Sequence, residues 1–404
     1  MPETVKVYRD LIHSASEKEI TEYNVILCTT DVATNSRLLK ALQIQQIIVD
    51  EAGMCHEPKC LVPIIASKAE QVVLIGDHMQ LRPIIKCKEA AELGMDTSLF
   101  ERYALMDDSE NLKTNVNCTM LEKQYRMHPR ICDLPSELFY EGRLQTARKI
   151  GRDQPLPIWP EHETLGTIPR VFVHLVGNEE MLTVLTEDGN EMSKSNAVEV
   201  DYVVGLYRNL ITQCESVFIL SQYNAQCAEI KRKLREMNLR DEDVSTVVSS
   251  QGGEWDYVIF STVRSLPKYK IEKKPTLGWC KYNLGFITDQ NQVNVAITRA
   301  KKGLVIVGNK HLLRCDKTWN TILEDYEHYG CVKTPMEFPP PNTRLTRQEI
   351  MARARAQSYR RYGETIYERG EATSYVGPVD ERPTLRIRNR GCASARQGDR
   401  YRPS

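Results

Sequence analysis

The sequence predicts an α/β fold, and two patterns carry the prediction. Short apolar runs recur along the chain, and each is followed by a polar or glycine-containing turn and then by a stretch of helical period. None of these runs approaches the ~18 residues that a membrane-spanning helix needs, so they suit buried strands instead. Composition supports the same class. The 404 residues balance 54 Lys and Arg against 54 Asp and Glu with 41% hydrophobic residues, which excludes collagen, coiled coil and wholesale disorder. At roughly 100 to 200 residues per domain, the length allows two or three domains.

Taken in order, residues 8–23 have helical period, and apolar strands are expected at 25–28, 47–49, 72–75, 171–175, 217–220, 257–263 and 304–307. Strands this short and this uniformly apolar fit parallel sheets covered on both faces. In such sheets ligands gather outside the carboxyl ends of the strands, so the residues just after each run are the ones to inspect.

After Ile47-Ile48-Val49 come Asp50-Glu51-Ala52-Gly53. Paired carboxylates at a strand exit suit a magnesium nucleotide site, where the first holds the cation and the second orients or deprotonates a water. The same pair is also an ordinary way to start the next helix. After the run at 72–75, Gly76-Asp77 leads to Gln80, whose amide can both donate to and accept from a departing phosphate. Gln124-Tyr125-Arg126-Met127-His128-Pro129 offers a guanidinium fork for phosphate in Arg126 and a ring face for a base in Tyr125. Gly252 and Gly253 let backbone amides approach a phosphate, and Glu254 can accept from a ribose hydroxyl. Arg299 is expected on a helix just before the strand at 304–307, where it is either a surface residue or an arginine finger.

The ends of the chain and its cysteines carry less. From residue 334 onward there are 14 Arg and no Lys against 8 Asp or Glu, so a surplus of +6 sits in a tail otherwise rich in Gly, Pro and Ser. This tail, residues 331–404, is expected to be largely disordered, either solvated or in contact with nucleic acid or a protein partner. Twelve cysteines stand without a single CxxC pair, and Cys55-His56 with Cys60 lacks a second ligand pair at zinc spacing, so they are expected to be reduced and no metal is assigned to them. The N-terminus, Met1-Pro2-Glu3-Thr4-Val5-Lys6, has no apolar core of the signal-peptide kind. The expected location is the cytoplasm or nucleus, with no membrane partner.

Each motif is weak alone, but the ordered set is not. It resembles superfamily 1 helicases of the 5′-to-3′ branch, in the clade of the nonsense-mediated-decay RNA helicase, over roughly residues 20 to 320. Asp50 to Gly53 is similar to helicase motif II, 76–83 to motif III, 124–129 to motif IV, 248–256 to motif V and 295–303 to motif VI, and 24–30 to the backbone-touching Ic element. Within the clade, Asp50-Glu51-Ala52-Gly53-Met54, Ser98-Leu99-Phe100-Glu101-Arg102-Tyr103 and Gln292-Val293-Asn294-Val295-Ala296 look closest to the C-terminal helicase module of the zinc-finger-domain helicases of type 2.

The resemblance implies tandem RecA-like P-loop NTPase domains, here at 1–115 and 116–330, clasping ATP between them and holding single-stranded RNA, or DNA, across their top. It further implies that Asp50 holds magnesium, Glu51 activates water and Gln80 senses the γ-phosphate. Tyr125 would pack on adenine, Arg126 and Arg299 would reach the phosphates, and Gly252 and Glu254 would line the nucleotide. Gly253 stands where many relatives have an arginine. The resemblance also implies transcriptional coactivation, for which no LxxLL segment is found.

One expected part is missing. The family's phosphate-cradling loop ends in Gly-Lys, and this chain has no such dipeptide among its 21 glycines. The first RecA-like sheet is therefore expected to be incomplete, residues 1–115 unstable alone, and the chain by itself inactive as an ATPase. Two readings follow: part of a longer ATP-dependent helicase, or an ATPase-inactive module that binds RNA or protein.

Overall fold

A computed structural model describes residues 3–339 except 36–37, 40–41, 107–115, 148–155, 157, 187–188 and 214–215. The arginine-rich tail beyond 339 and the expected boundary at 115 lie outside the described residues. The described residues make one compact unit.

The larger sheet has six strands, all parallel. The chain opens with helix α1 (Glu3–Ile20), then strand β1 (Gln46–Val49), helix α2 (Glu57–Ser67), strand β2 (Gln71–Leu74) and helix α3 (Leu99–Ala104). Strand β3 (Lys123–Gln124), helix α4 (Pro129–Phe139) and strand β4 (Gln145–Thr146) lead into the large sheet. That sheet begins with β5 (Arg170–His174), which is followed by a protruding antiparallel hairpin of β6 (Glu179–Thr186) and β7 (Gly189–Asn196). Then come α5 (Ala197–Leu210), β8 (Val217–Ser221), α6 (Asn224–Glu236), β9 (Val244–Thr246) and β10 (Trp255–Ser261). The chain closes with α7 (Leu277–Leu284), α8 (Gln290–Ile297), β11 (Ala300–Gly308), α9 (Lys317–His328) and β12 (Val332–Lys333). The strand order is β9-β8-β10-β11-β5-β12.

Alternation along these strands splits the core into two layers, as the period of two in a strand requires. Phe172, Leu220, Val258, Phe260, Leu304 and Ile306 face one layer, under α4, α8 and α9. Val171, Val173, Ile219, Ile259, Val305 and Val307 face the other, under α5 and α6. This is the two-sided cover that apolar parallel strands need. The strand β12 and the buried Phe338, packed on Trp159, lie past residue 330, so the sheet's last pairing and its core use residues from the stretch expected to be tail.

The smaller sheet is different. Among the described residues it has two strands, β1 and β2, paired in parallel. Ile48, Val72 and Val73 on these strands, and Ile75 just beyond, are between 39% and 59% exposed, unlike the covered apolar strands of the large sheet. Residues 25–28, expected as a strand, form none: Val25 and Leu27 are 75% and 87% exposed and the segment finds no ladder to join among the described residues.

Where β10 ends, the backbone takes a conformation rare for a β-branched residue, with Val263 at φ 68°. Buried groups hold it there. Glu199 accepts from the Val263 amide at 2.9 Å and from the Ser261 hydroxyl at 2.6 Å, and the Asn196 amide donates to the Val263 carbonyl at 2.9 Å. Burial pushes the Glu199 carboxyl up to about 8. Between its usual value near 4.5 and about 8, the unfolded chain is ionised while the folded one keeps the proton, so this group makes stability fall as pH rises across that window. Glu199→Gln is expected to remove that part of the slope when urea midpoints at pH 5 and pH 8 are compared with wild type; identical slopes would contradict the buried, protonated carboxyl.

Glycine 303 on β11 is demanded by packing, since a Cβ there would sit 2.2 Å from the Trp159 ring and 2.7 Å from that of Tyr257. Gly303→Ala is expected to cost roughly 1 to 3 kcal/mol of overpacking. A lower urea midpoint at unchanged slope would report it, and an unchanged midpoint would contradict the fit.

Candidate nucleotide site

The site forms where the exits of β1 and β2 meet α4, α8 and the turn before β11. Two glycines set the first half. A Cβ on Gly53 would lie 2.8 Å from the Asp77 carbonyl, and one on Gly76 would lie 2.7 Å from the Gly53 nitrogen, so the two loops pack backbone against backbone. The Ala52 amide donates to the Ile75 carbonyl at 2.8 Å and closes the pair. Glu51, beside them, has φ 52°, a sparsely populated conformation of the kind concentrated at functional sites.

The turn at Gln124 explains why glutamine stands two residues before Arg126. Its side-chain oxygen accepts from the amides of Arg126 at 2.9 Å and Met127 at 2.8 Å, while its nitrogen donates to the Met127 carbonyl. His128 then caps α4 by accepting from the Arg130 amide, with Pro129 in the first turn, where it costs no hydrogen bond. Arg126 emerges from this turn to donate to Glu254 at 2.9 Å and to the Thr298 carbonyl at 3.2 Å. Lys301 meets the other oxygen of Glu254 at 2.7 Å. The hydrogen bonds from Lys301 and Arg126 hold the Glu254 carboxyl below its usual range.

Helix α8 presents Asn291 and Asn294, three residues apart and so on one face, to the loop after β2. Asn291 donates to the His78 carbonyl and Asn294 to that of Met79, both at 2.9 Å. The helix stops at Ile297, and Arg299 stands beyond it, not on it as the sequence suggested, because its carbonyl already accepts the Trp255 amide at the start of the β11 ladder. The Arg299 side chain folds back under the helix end, donating to Val295, Gly253 and, at 2.9 Å, to the side-chain oxygen of Gln80. It is 1% exposed. Burial first and the charge of Arg126 second push its pKa down to about 10, against the pull of Tyr140, Glu51 and Asp77, so it stays charged at neutral pH.

The structure thus joins several residues picked out by sequence: Gln80 with Arg299, Arg126 with Glu254, and Glu51 with the 248–256 segment through Gln251, which donates to it at 2.9 Å. Two stand apart. Tyr125 is 73% exposed, and the Asp50 carboxylate accepts from the Glu51 amide next to it. Gly252 sits at φ 77°, a turn conformation that glycine permits. Tyr140, Asp77, Gln251, Asn291 and Asn294 were not picked out as functional. Asn291 and Asn294 lie in or beside a recognised motif, whereas a tyrosine at the end of α4 carries no local signal at all.

Three kinds of side chain therefore converge: the Glu51 carboxylate at a strand end, two guanidinium groups, and an amide held between a carboxylate and an arginine. The Gln251 side-chain oxygen is buried without a hydrogen-bond partner, an open acceptor beside Glu51. Hard carboxylate oxygens fit magnesium, which takes one or two of them and fills its shell with water and phosphate; no group of three metal-ligating side chains exists among the described residues, and that site chemistry needs none.

Comparison with known proteins gives AAA-domain matches at residues 3–88 and 95–311. The chain is 42% identical over 328 residues to the 3′-5′ exoribonuclease HELZ2 of Mus musculus, covering 80% of this chain and 11% of that protein. It is 41% identical to HELZ2 of Homo sapiens over 78% of this chain, again 11% of the relative. The regulator of nonsense transcripts 1 homolog of Arabidopsis thaliana is 33% identical over 81% of this chain and 24% of its own length. The chain thus spans a small part of each of these relatives. Lys301→Ala is expected to raise the Glu254 carboxyl pKa, followed by carbon-detected NMR, more than Arg126→Ala does; an unmoved titration in both would contradict the bridge.

Proposed function

From the premise that this chain, with an AAA-domain match over more than half its length, belongs to the superfamily 1 helicases of the nonsense-mediated-decay clade, we propose that it supplies much of the cleft in which such a helicase hydrolyses ATP while moving along single-stranded nucleic acid, RNA in preference to DNA. The observation that carries this reading is the Gln80–Arg299 bond at 2.9 Å, which places an arginine from the large sheet directly on the loop after β2.

In this reading Asp50 would hold magnesium, which when bound would supply positive charge to neutralise the phosphates. Glu51, turned by its unusual backbone and held by Gln251, orients and deprotonates the attacking water. Gln80 meets the γ-phosphate, and Arg299 stabilises the charge that develops there, a role worth several powers of ten in rate in comparable sites. Arg126 adds a second cation, and Glu254 keeps that cation oriented. Gly252 and Glu254 lie along the nucleotide, and the exposed Tyr125 ring offers a face for adenine. Burial of Arg299 strengthens each of these contacts, because charges interact more strongly away from water.

The lysine that neutralises the β and γ phosphates in the family has no Gly-Lys counterpart among these 404 residues. The alternative reading is a chain that binds RNA or a protein partner without turnover.

The two readings part in one assay on the full natural protein. Under the first, single-stranded RNA stimulates ATP hydrolysis, and Glu51→Gln reduces turnover by about 10²-fold or more while leaving nucleotide binding intact. Wild-type turnover in the variant would remove Glu51 from the mechanism. RNA binding with no hydrolysis in the wild-type protein would favour the second reading.

A further inference from the structure

Asp77 is the pivot of a hydrogen-bond chain that crosses between the two sheets. Its Oδ1 accepts from the Met79 amide at 2.9 Å. Its Oδ2 accepts both the Gln80 side-chain nitrogen at 2.8 Å and the Tyr140 hydroxyl at 2.6 Å. Tyr140, at the end of α4, in turn accepts from the Asn294 side-chain nitrogen at 2.7 Å. The donors from Asn294 through Tyr140 to Asp77 are thereby assigned, and the Asn294 side-chain oxygen stays buried without a partner. An ionised carboxylate can only accept, so Gln80 must turn its nitrogen to Asp77 and its oxygen outward, to Arg299.

Resting on the γ-phosphate role proposed for Gln80, we propose that Tyr140 is a positioning residue for catalysis: its hydroxyl fixes Asp77, Asp77 fixes which way the Gln80 amide faces, and that amide sets how Arg299 is held for the phosphate. Tyr140 itself touches no substrate. Gln80 and Arg299 satisfy each other, so both are held ready and neither is left as an orphaned buried group. Arrival of the γ-phosphate offers both a better, charged partner. The Tyr140–Asp77 contact keeps the loop docked on α4 and α8 while that exchange happens, so the loop need not be rebuilt in each cycle. Burial, with Asp77 beside it, raises the Tyr140 hydroxyl well above its ordinary range, and the group remains a donor at any working pH.

The deletion of one oxygen tests this in the full natural protein. Tyr140→Phe keeps the ring and its packing, so its melting temperature serves as a check on folding. The expected result is a fall in kcat of about 10-fold or more with KM for ATP little changed, because orientation and not affinity is lost. The same substitution in a Gln80→Ala background is expected to have no further effect, since Tyr140 acts through Gln80; a merely structural tyrosine would lower activity by the same factor in both backgrounds. Additive losses, or full turnover in Tyr140→Phe alongside a crippled Gln80→Ala, would overturn the positioning role and leave the Gln80 role standing. Full turnover in Gln80→Ala itself would overturn the reading on which both depend.

Discussion

A guanidinium that is 1% exposed is the constraint around which this site is built. Removing such a cation from water is costly unless its donors are matched, and unmatched buried charge is not tolerated. Arg299 is matched by the end of the preceding helix, by the Gly253 carbonyl and by Gln80. Each of these partners imposes a condition on a different part of the chain. The helix must end before Arg299, the turn at Gly252 and Gly253 must bring a carbonyl close, and the loop after β2 must stay docked. The asparagines of α8 and the Tyr140–Asp77 contact meet the last condition. The site is therefore a consequence of how the large sheet accommodates one buried charge against a loop it does not itself contain.

The two sheets differ in what they need. Six parallel strands are covered on both faces, with alternate side chains divided between two helical layers. The pair β1–β2 instead leaves aliphatic side chains in water, and its buried cluster rests on Val49, Ala52, Cys60 and Leu99. The loops carrying Glu51 and Gln80 are accordingly steadied less by their own sheet than by contacts across the cleft, from Gln251, Asn291, Asn294, Tyr140 and Arg299. That dependence follows from the small size of the β1–β2 sheet among the described residues. It also explains why glycines 53 and 76 matter: with little sheet behind them, these loops rely on direct backbone packing.

Much of this was legible in the sequence, for physical reasons that also mark where legibility stops. Buried parallel strands are nearly uniformly apolar, so four of the six strands of the large sheet declare themselves by composition, whereas β9 and β12, of three and two residues, do not. Strand-end carboxylates, paired glycines and arginines in fixed order declare the site. The run at 25–28 has the same composition yet forms no strand, because pairing is decided by partners and not by the run itself. Arg299 was expected on a helix, and only the ladder bond from Trp255 reveals that the chain has already left it. Tyr140 is invisible for a different reason. Its partners, Asp77 and Asn294, are 63 and 154 residues away, and no local pattern encodes a contact over such separations.

The most direct test of the account is a crystal structure of the full natural protein with magnesium, a non-hydrolysable ATP analogue and a short single-stranded RNA. The account requires the Gln80–Arg299 bond to be broken, both side chains turned to the γ-phosphate, and the Tyr140–Asp77 bond intact. An analogue bound elsewhere, with Arg299 still on Gln80, would contradict it.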